Sequence, residues 1–190
     1  ESAAVPSAHL SLPRLIENTG EFGEFVLVAG NSSQDADVLM DDWSHQAVTW
    51  VLTTHEARPG HEMQYSSMVE NGTSLARALF AFNSANAEGW GMYAESVMQQ
   101  YLPFDAQLFS LYNRLFRAAR IFLDPMVNTG QLTAKEAEDF LVEQLGMSRA
   151  MARSDAQRYA FREPGQATSY YYGYMSIMRL RTEVEIALGD

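Results

Sequence analysis

Trp50-Val-Leu-Thr-Thr-His-Glu-Ala-Arg-Pro-Gly-His61 opens as an apolar run and closes with two histidines and a glutamate inside seven residues. The chain has only four histidines, so that density is unusual. Neutral imidazole is a good zinc ligand, and a carboxylate beside the first ligand can take a proton from water acidified by a cation. On this reading His55 and His61 bind and Glu56 is the base. In the common helical ligand pair the two histidines lie four residues apart and share a face. Here they lie six apart, which advances a regular helix by about 600°, a net turn of about 240°, so both rings reach one cation only across a break. Pro59 cannot continue the backbone ladder and Gly60 tolerates turned conformations, so one helix can end near Arg58 and another restart with His61 swung back. The competing reading makes His55 a satisfied core histidine and His61 a helix N-cap.

Outward from that break, helix-forming residues dominate from Asp37 almost to the C-terminus. Spacing and punctuation predict helices over 38–58, 61–70, 73–101, 105–127, 134–145, 149–161 and 165–188, with a break near Asn83 inside the third. Thr133-Ala-Lys-Glu136 is a capping box and Gly146 its matching stop. In the 105–127 segment Leu108, Leu111, Leu115 and Phe122 recur at helical spacing beside a row of Arg114, Arg117 and Arg120. Upstream, residues 1–24 read as a loosely ordered arm, and Phe25-Val-Leu-Val-Ala29 before Gly30 is the one good strand candidate, in need of a partner. The expected architecture is mainly α with at most a short strand near the N-terminus. It divides into an arm and strand over 1–36 and a helical metal-binding domain over 37–190.

Composition fits one globular domain: 190 residues, 47% hydrophobic and 19% charged. A net charge of -11, with thirteen Lys and Arg in no cluster, disfavours nucleic acid and anionic membrane surfaces. The absence of cysteine leaves only His, Asp and Glu for a metal site. No run of eighteen apolar residues suggests a membrane-spanning segment. The chain starts at Glu1 rather than Met, so localisation is not readable from its N-terminus.

A third ligand is available in Glu88-Gly-Trp-Gly-Met-Tyr-Ala-Glu95, whose two carboxylates share a helical face. Gly89 and Gly91 permit close helix packing. A solvated acidic face is the plain alternative, yet Trp90, Met92, Tyr93, Ala94 and Val97 make this helix mostly apolar, and buried carboxylates need a cation or hydrogen-bond partner. Tyr170, Tyr171, Tyr172 and Tyr174 form an aromatic cluster in which most members are expected to pack.

The run His55-Glu-Ala-Arg-Pro-Gly-His61 with Gln64, then Glu88-Gly-Trp with Glu95, then Pro164-Gly-Gln-Ala-Thr-Ser-Tyr170 and Gly173 with Arg179-Leu-Arg181 resembles the bacterial group called domain of unknown function 885. The resemblance runs from about Trp50 to the C-terminus. It implies a mostly helical, zincin-like metallopeptidase region holding one zinc ion through His55, His61 and Glu88, with Glu56 as general base. Glu95 would steady a ligand histidine by a hydrogen bond. Tyr170, which matches the pattern, would donate to a developing oxyanion. Arg179 and Arg181 are the candidates to hold a peptide C-terminal carboxylate by a two-pronged contact, against the more common alternative that both are surface arginines. Such chains are usually much longer, so the sequence is expected to be a C-terminal catalytic portion partnered by an N-terminal helical region, in a periplasmic or lipid-anchored bacterial protein. It departs from the pattern at Glu62 and Asn128, where histidines are common, and at Tyr171, where lysine is common. The expected reaction is hydrolysis of short peptides. The alternatives are another amide or an ester as substrate, or a metal-binding module without turnover.

Overall fold

The computed structural model describes residues 8–26, 42 and 45–189. Among these residues eight α-helices follow a short hairpin: α1 (Gln46–Glu56), α2 (His61–Glu70), α3 (Leu75–Phe80), α4 (Ser84–Met98), α5 (Phe104–Asn128), α6 (Ala134–Leu145), α7 (Arg149–Gln157) and α8 (Ser169–Leu188). The mainly α class expected from the sequence is the class observed. In the hairpin β1 (His9–Ser11) pairs antiparallel with β2 (Glu24–Val26), Leu10 opposite Phe25. The strand expected over 25–29 is thus present at Phe25 and Val26, and its partner comes from the arm; residues 27–29 lie outside the described residues.

Local chemistry sets the helix ends. Thr133 and Glu136 make the reciprocal capping box, and Gly146 ends α6 in the left-handed region at φ 68°. The segment expected as one helix over 73–101 is two, because the Asn83 carboxamide oxygen accepts from Ala85 N and Asn86 N and starts α4 afresh. The first expected helix, 38–58, begins at Gln46, with 38–41, 43 and 44 outside the described residues. The last, expected from 165, begins at Ser169 after a single 3-10 turn. The backbone after α7 widens into a π turn over Arg158–Arg162.

Two packings position the site. Phe116, Leu123, Leu141, Ala152 and Tyr159 form the main core between α5, α6, α7 and the π turn. On the other side α4 and α8 cross glycine on glycine: a Cβ on Gly89 would stand 2.4 Å from Gly173 C, and one on Gly173 would stand 1.9 Å from Ala85 O. No side chain fits there. Asp124, fully buried on α5, accepts from Gly165 N (2.8 Å) and Ala167 N (2.9 Å) and so fixes the turn that launches α8. Asn128 supports it, donating to Asp124 Oδ1 and to Tyr159 O.

Beside the core residues Phe116 and Leu123, the leucine stripe of α5 faces outward and much of its polar row faces in. Leu108, Leu111, Leu115 and Phe122 are exposed, whereas Ser110, Asn113, Arg117, Arg120 and Asp124 are buried. Phe122 rests edge-on against Phe140.

Candidate metal centre

Helix α1 ends at Glu56 because the chain turns back on itself at once. A Cβ at Gly60 would fall 1.8 Å from His55 O, so only glycine lets α2 restart this close. Trp90 of α4 holds the break, its indole N–H donating to Pro59 O (3.0 Å) and Gly60 O (3.1 Å). His55, at the end of α1, and His61, at the start of α2, then face each other edge-on with ring centroids 4.8 Å apart.

Each ring is held through Nδ1. His55 Nδ1 donates to Glu95 Oε1 at 2.6 Å, and His61 Nδ1 to Gln64 Oε1 at 3.3 Å. Gln64 is itself tied to Asn86. Anchoring Nδ1 leaves Nε2 free to act as ligand. Both Nε2 atoms converge on one carboxylate oxygen, Glu88 Oε2, at 3.4 Å from His55 and 3.7 Å from His61. Ligand atoms of His55, Glu56 and His61 also lie within 4.8 Å of one another, so Glu56 stands beside the same pair of rings. Glu56 is buried and accepts no hydrogen bond from the described residues.

Residues 88–91 each have a separate task. Glu88 faces the histidines, Gly89 meets Gly173, Trp90 clamps the break, and Gly91 makes room for the ligand ring, since a Cβ there would lie 2.5 Å from His55 Cε1.

Charge and burial oppose each other here. Burial alone would push the His55 imidazole down, but hydrogen bonds to Glu88 and Glu95, with Glu56 nearby, carry it up to about 10. Burial would raise the Glu88 carboxyl, yet the two histidines hold it well below the ordinary range. Without a cation, the site therefore retains a proton on His55 at neutral pH. The donor set of two imidazoles and a carboxylate, with both rings already oriented, suits a borderline divalent cation such as zinc.

Tyr170, at the start of α8, stacks near His55, with centroids 6.3 Å apart, and accepts from Arg158 Nη2 at 3.4 Å. Its phenol is pushed up, by burial first and then by Glu88, so it keeps its proton. Arg179 and Arg181 are not brought to the site. Both are exposed on outer α8, beyond the cleft lining, and Arg181 pairs with Glu185 and the Tyr93 hydroxyl. Instead the arginines that line the cleft with His55 are Arg117, Arg120, Arg158 and Arg162. The sequence signal for two of them was an arginine row on α5, which gives no hint of burial by itself.

The sequence pattern of a family described as bacterial protein of unknown function (DUF885) matches residues 2–190. The chain belongs to this family. Two solved structures share the DUF885 chain's fold, each with TM-score 0.79, 25% identity and 98% of this chain covered. One is provisionally described as a lipoprotein from Colwellia psychrerythraea and the other as a lipoprotein of unknown function from Shewanella oneidensis. The DUF885 chain spans only 31% and 34% of their respective lengths. No functionally curated protein matches it.

Proposed function

We propose that this chain is the catalytic core of a zinc-dependent hydrolase that cleaves amide bonds in short peptides. The observation that supports the reading is the convergence of His55 Nε2 and His61 Nε2 on Glu88 Oε2 while both Nδ1 atoms are anchored elsewhere. A zinc ion held by those three residues would supply Lewis acidity, polarising the scissile carbonyl and acidifying a neighbouring water.

This chain's own residues do the rest. Glu56, buried beside the ligands with no hydrogen bond from the described residues, takes the proton of the attacking water and returns it to the departing amine nitrogen. The C–O bond forms first, placing charge on the carbonyl oxygen, and the C–N bond breaks as its nitrogen takes the proton. The Tyr170 phenol, protonated and oriented by Arg158, donates to the oxygen that gains charge. Glu95 and Gln64 keep the two imidazoles in register.

The exposed Leu108, Leu111 and Leu115 of α5 form the face on which an N-terminal helical region of a longer protein packs, consistent with the greater length of the similar solved chains. Their description as lipoproteins supports a bacterial cell-envelope location. Among the described residues no helix is long and apolar enough to cross a membrane.

The test is metal analysis after dialysis against a weak chelator, with peptide and ester panels assayed in parallel. One equivalent of zinc is expected, lost in His55→Ala, His61→Ala and Glu88→Ala, and cleavage of peptides rather than esters. Full zinc retention by the histidine variants would refute the ligand set. Zinc binding without any cleavage by a full-length protein would leave a metal-binding module.

A further inference from the structure

Two lobes of one cleft meet at the metal ligands, and both are lined by Ala8, Glu56, Arg158 and Tyr170. One, of about 260 Å³, contains His61 and Glu88, with Leu10, Leu12, Phe82 and Ala87 among the rest of its wall. The other, of about 220 Å³, runs from His55 between α1, α5 and α7 and carries four arginines, Arg117, Arg120, Arg158 and Arg162. In a chain of net charge -11 such a concentration of cations is unusual.

Two of the four are neutralised by carboxylates in the same lobe. Arg120 makes a two-pronged contact with Asp155 (2.6 and 3.1 Å), and Arg158 pairs with Glu163. The other two have no carboxylate partner in the lining of the lobe. Arg162 donates to the backbone oxygen and hydroxyl of Ser154 and meets no carboxylate among the described residues. Arg117 is 5% exposed, and its Nε and Nη1 are buried without a hydrogen-bond partner. Its acidic neighbour Glu95 lies 3.9 Å from Nη2 and is already committed to His55. A buried guanidinium with open donors is costly, and a planar fork of that kind suits a carboxylate.

We infer that this lobe is the subsite for a substrate carboxylate, and that the preferred substrates are short peptides whose free C-terminal carboxylate sits there, one residue beyond the cleaved bond. The inference rests on the peptidase reading for the position of the cleaved bond. Glu56 and Tyr170, shared by both lobes, then lie at the junction between the two sides of the cleaved bond. The lobe with His61 and Glu88 takes the residue before the bond, and the arginine lobe takes the residue after it.

The experiment compares three probes: N-acetyl-Ala-Ala with a free carboxylate, its C-terminal amide, and N-acetyl-Ala-Glu amide, whose carboxylate is on the side chain. Binding to the zinc-free and zinc-loaded chain is measured by calorimetry, and hydrolysis separately. The free acid should bind at least about tenfold more tightly than the Ala-Ala amide in both metal states, the size expected of one charged fork contact. Arg117→Lys, which keeps the charge and loses the fork, and Arg162→Gln, at an exposed position that does not threaten folding, should each narrow that gap. Zinc stoichiometry of Arg162→Gln should remain that of the parent. Equal binding of acid and amide, or a gap that survives both substitutions, would overturn the subsite. If the side-chain acid binds as well as the free terminus, the C-terminal assignment fails. A binding gap with no cleavage of any probe would count against the peptidase reading and leave the carboxylate subsite standing.

Discussion

Glu56 and Glu95 are both buried carboxylates beside His55, and they should fail differently when neutralised. Glu95 holds the ring that Glu56 works next to. Glu56→Gln is expected to keep one zinc and lose roughly two to four orders of magnitude in rate, the usual size of a general-base contribution. Glu95→Gln should weaken zinc affinity roughly 10–100-fold. Metal titration and turnover on the same samples separate the two, and the reverse pattern would exchange their roles. The proton on His55 makes a second prediction. Its folded value of about 10 lies above the ordinary 6.5, so its charge stabilises the zinc-free fold fully below pH 6.5 and that contribution is lost as pH rises through about 10. Glu88 is depressed from 4.5, so its contribution is present above pH 4.5 and lost on acidification. Zinc must displace the His55 proton, and at pH 8 uptake should release about one proton from that ring. Calorimetry in two buffers of different ionisation enthalpy reads this number directly; zero release would contradict the retained proton.

Helices were the most legible part of the sequence because their ends carry local signals. The expected 61–70 and 134–145 coincide with α2 and α6, where a glycine break and a capping box set the limits. The break near Asn83 was also readable, since Asn83 caps α4 through its own side chain. What was not readable depends on neighbours distant in sequence. Nothing local distinguishes the buried Arg117 and Arg120 from the rest of an arginine row, and the exposed leucines of α5 carry the pattern of a core face. For the candidate site, His55, Glu56, His61, Glu88 and Glu95 could be singled out by residue type and spacing. The substrate arginines could not, because they come together only when α5, α7 and the π turn meet. Gly91 tests how tightly α4 is fitted to the ligand. Gly91→Ala places a methyl group 2.5 Å from the His55 ring, and should cost about 1–3 kcal/mol in stability and at least about tenfold in zinc affinity, with helix content unchanged. Parental zinc affinity in this variant would show that the ring is not confined from that side.

At the scale of the whole molecule, the apolar stripe of α5 should behave oppositely in two settings. In the 190-residue chain, Leu111→Lys with Leu115→Lys should reduce dye binding and concentration-dependent association while zinc uptake stays the same. In a longer protein that carries this region, the same pair should destabilise by roughly 1.5–3 kcal/mol per leucine, the cost of unburying such a side chain. Denaturant melts of both forms decide it, and a neutral effect in the longer protein would mean that the stripe is open to water there too. The Trp90 clamp and the glycine crossing have a consequence for inheritance. Gly60, Gly89, Trp90 and Gly173 interlock by sterics and backbone hydrogen bonds, so selection for folding alone would preserve most of the recognisable motif even in a lineage that had lost its chemistry. Glu56 takes no part in that interlock and accepts no hydrogen bond among the described residues. Its persistence or drift among descendants is therefore the better record of whether catalysis was ever under selection.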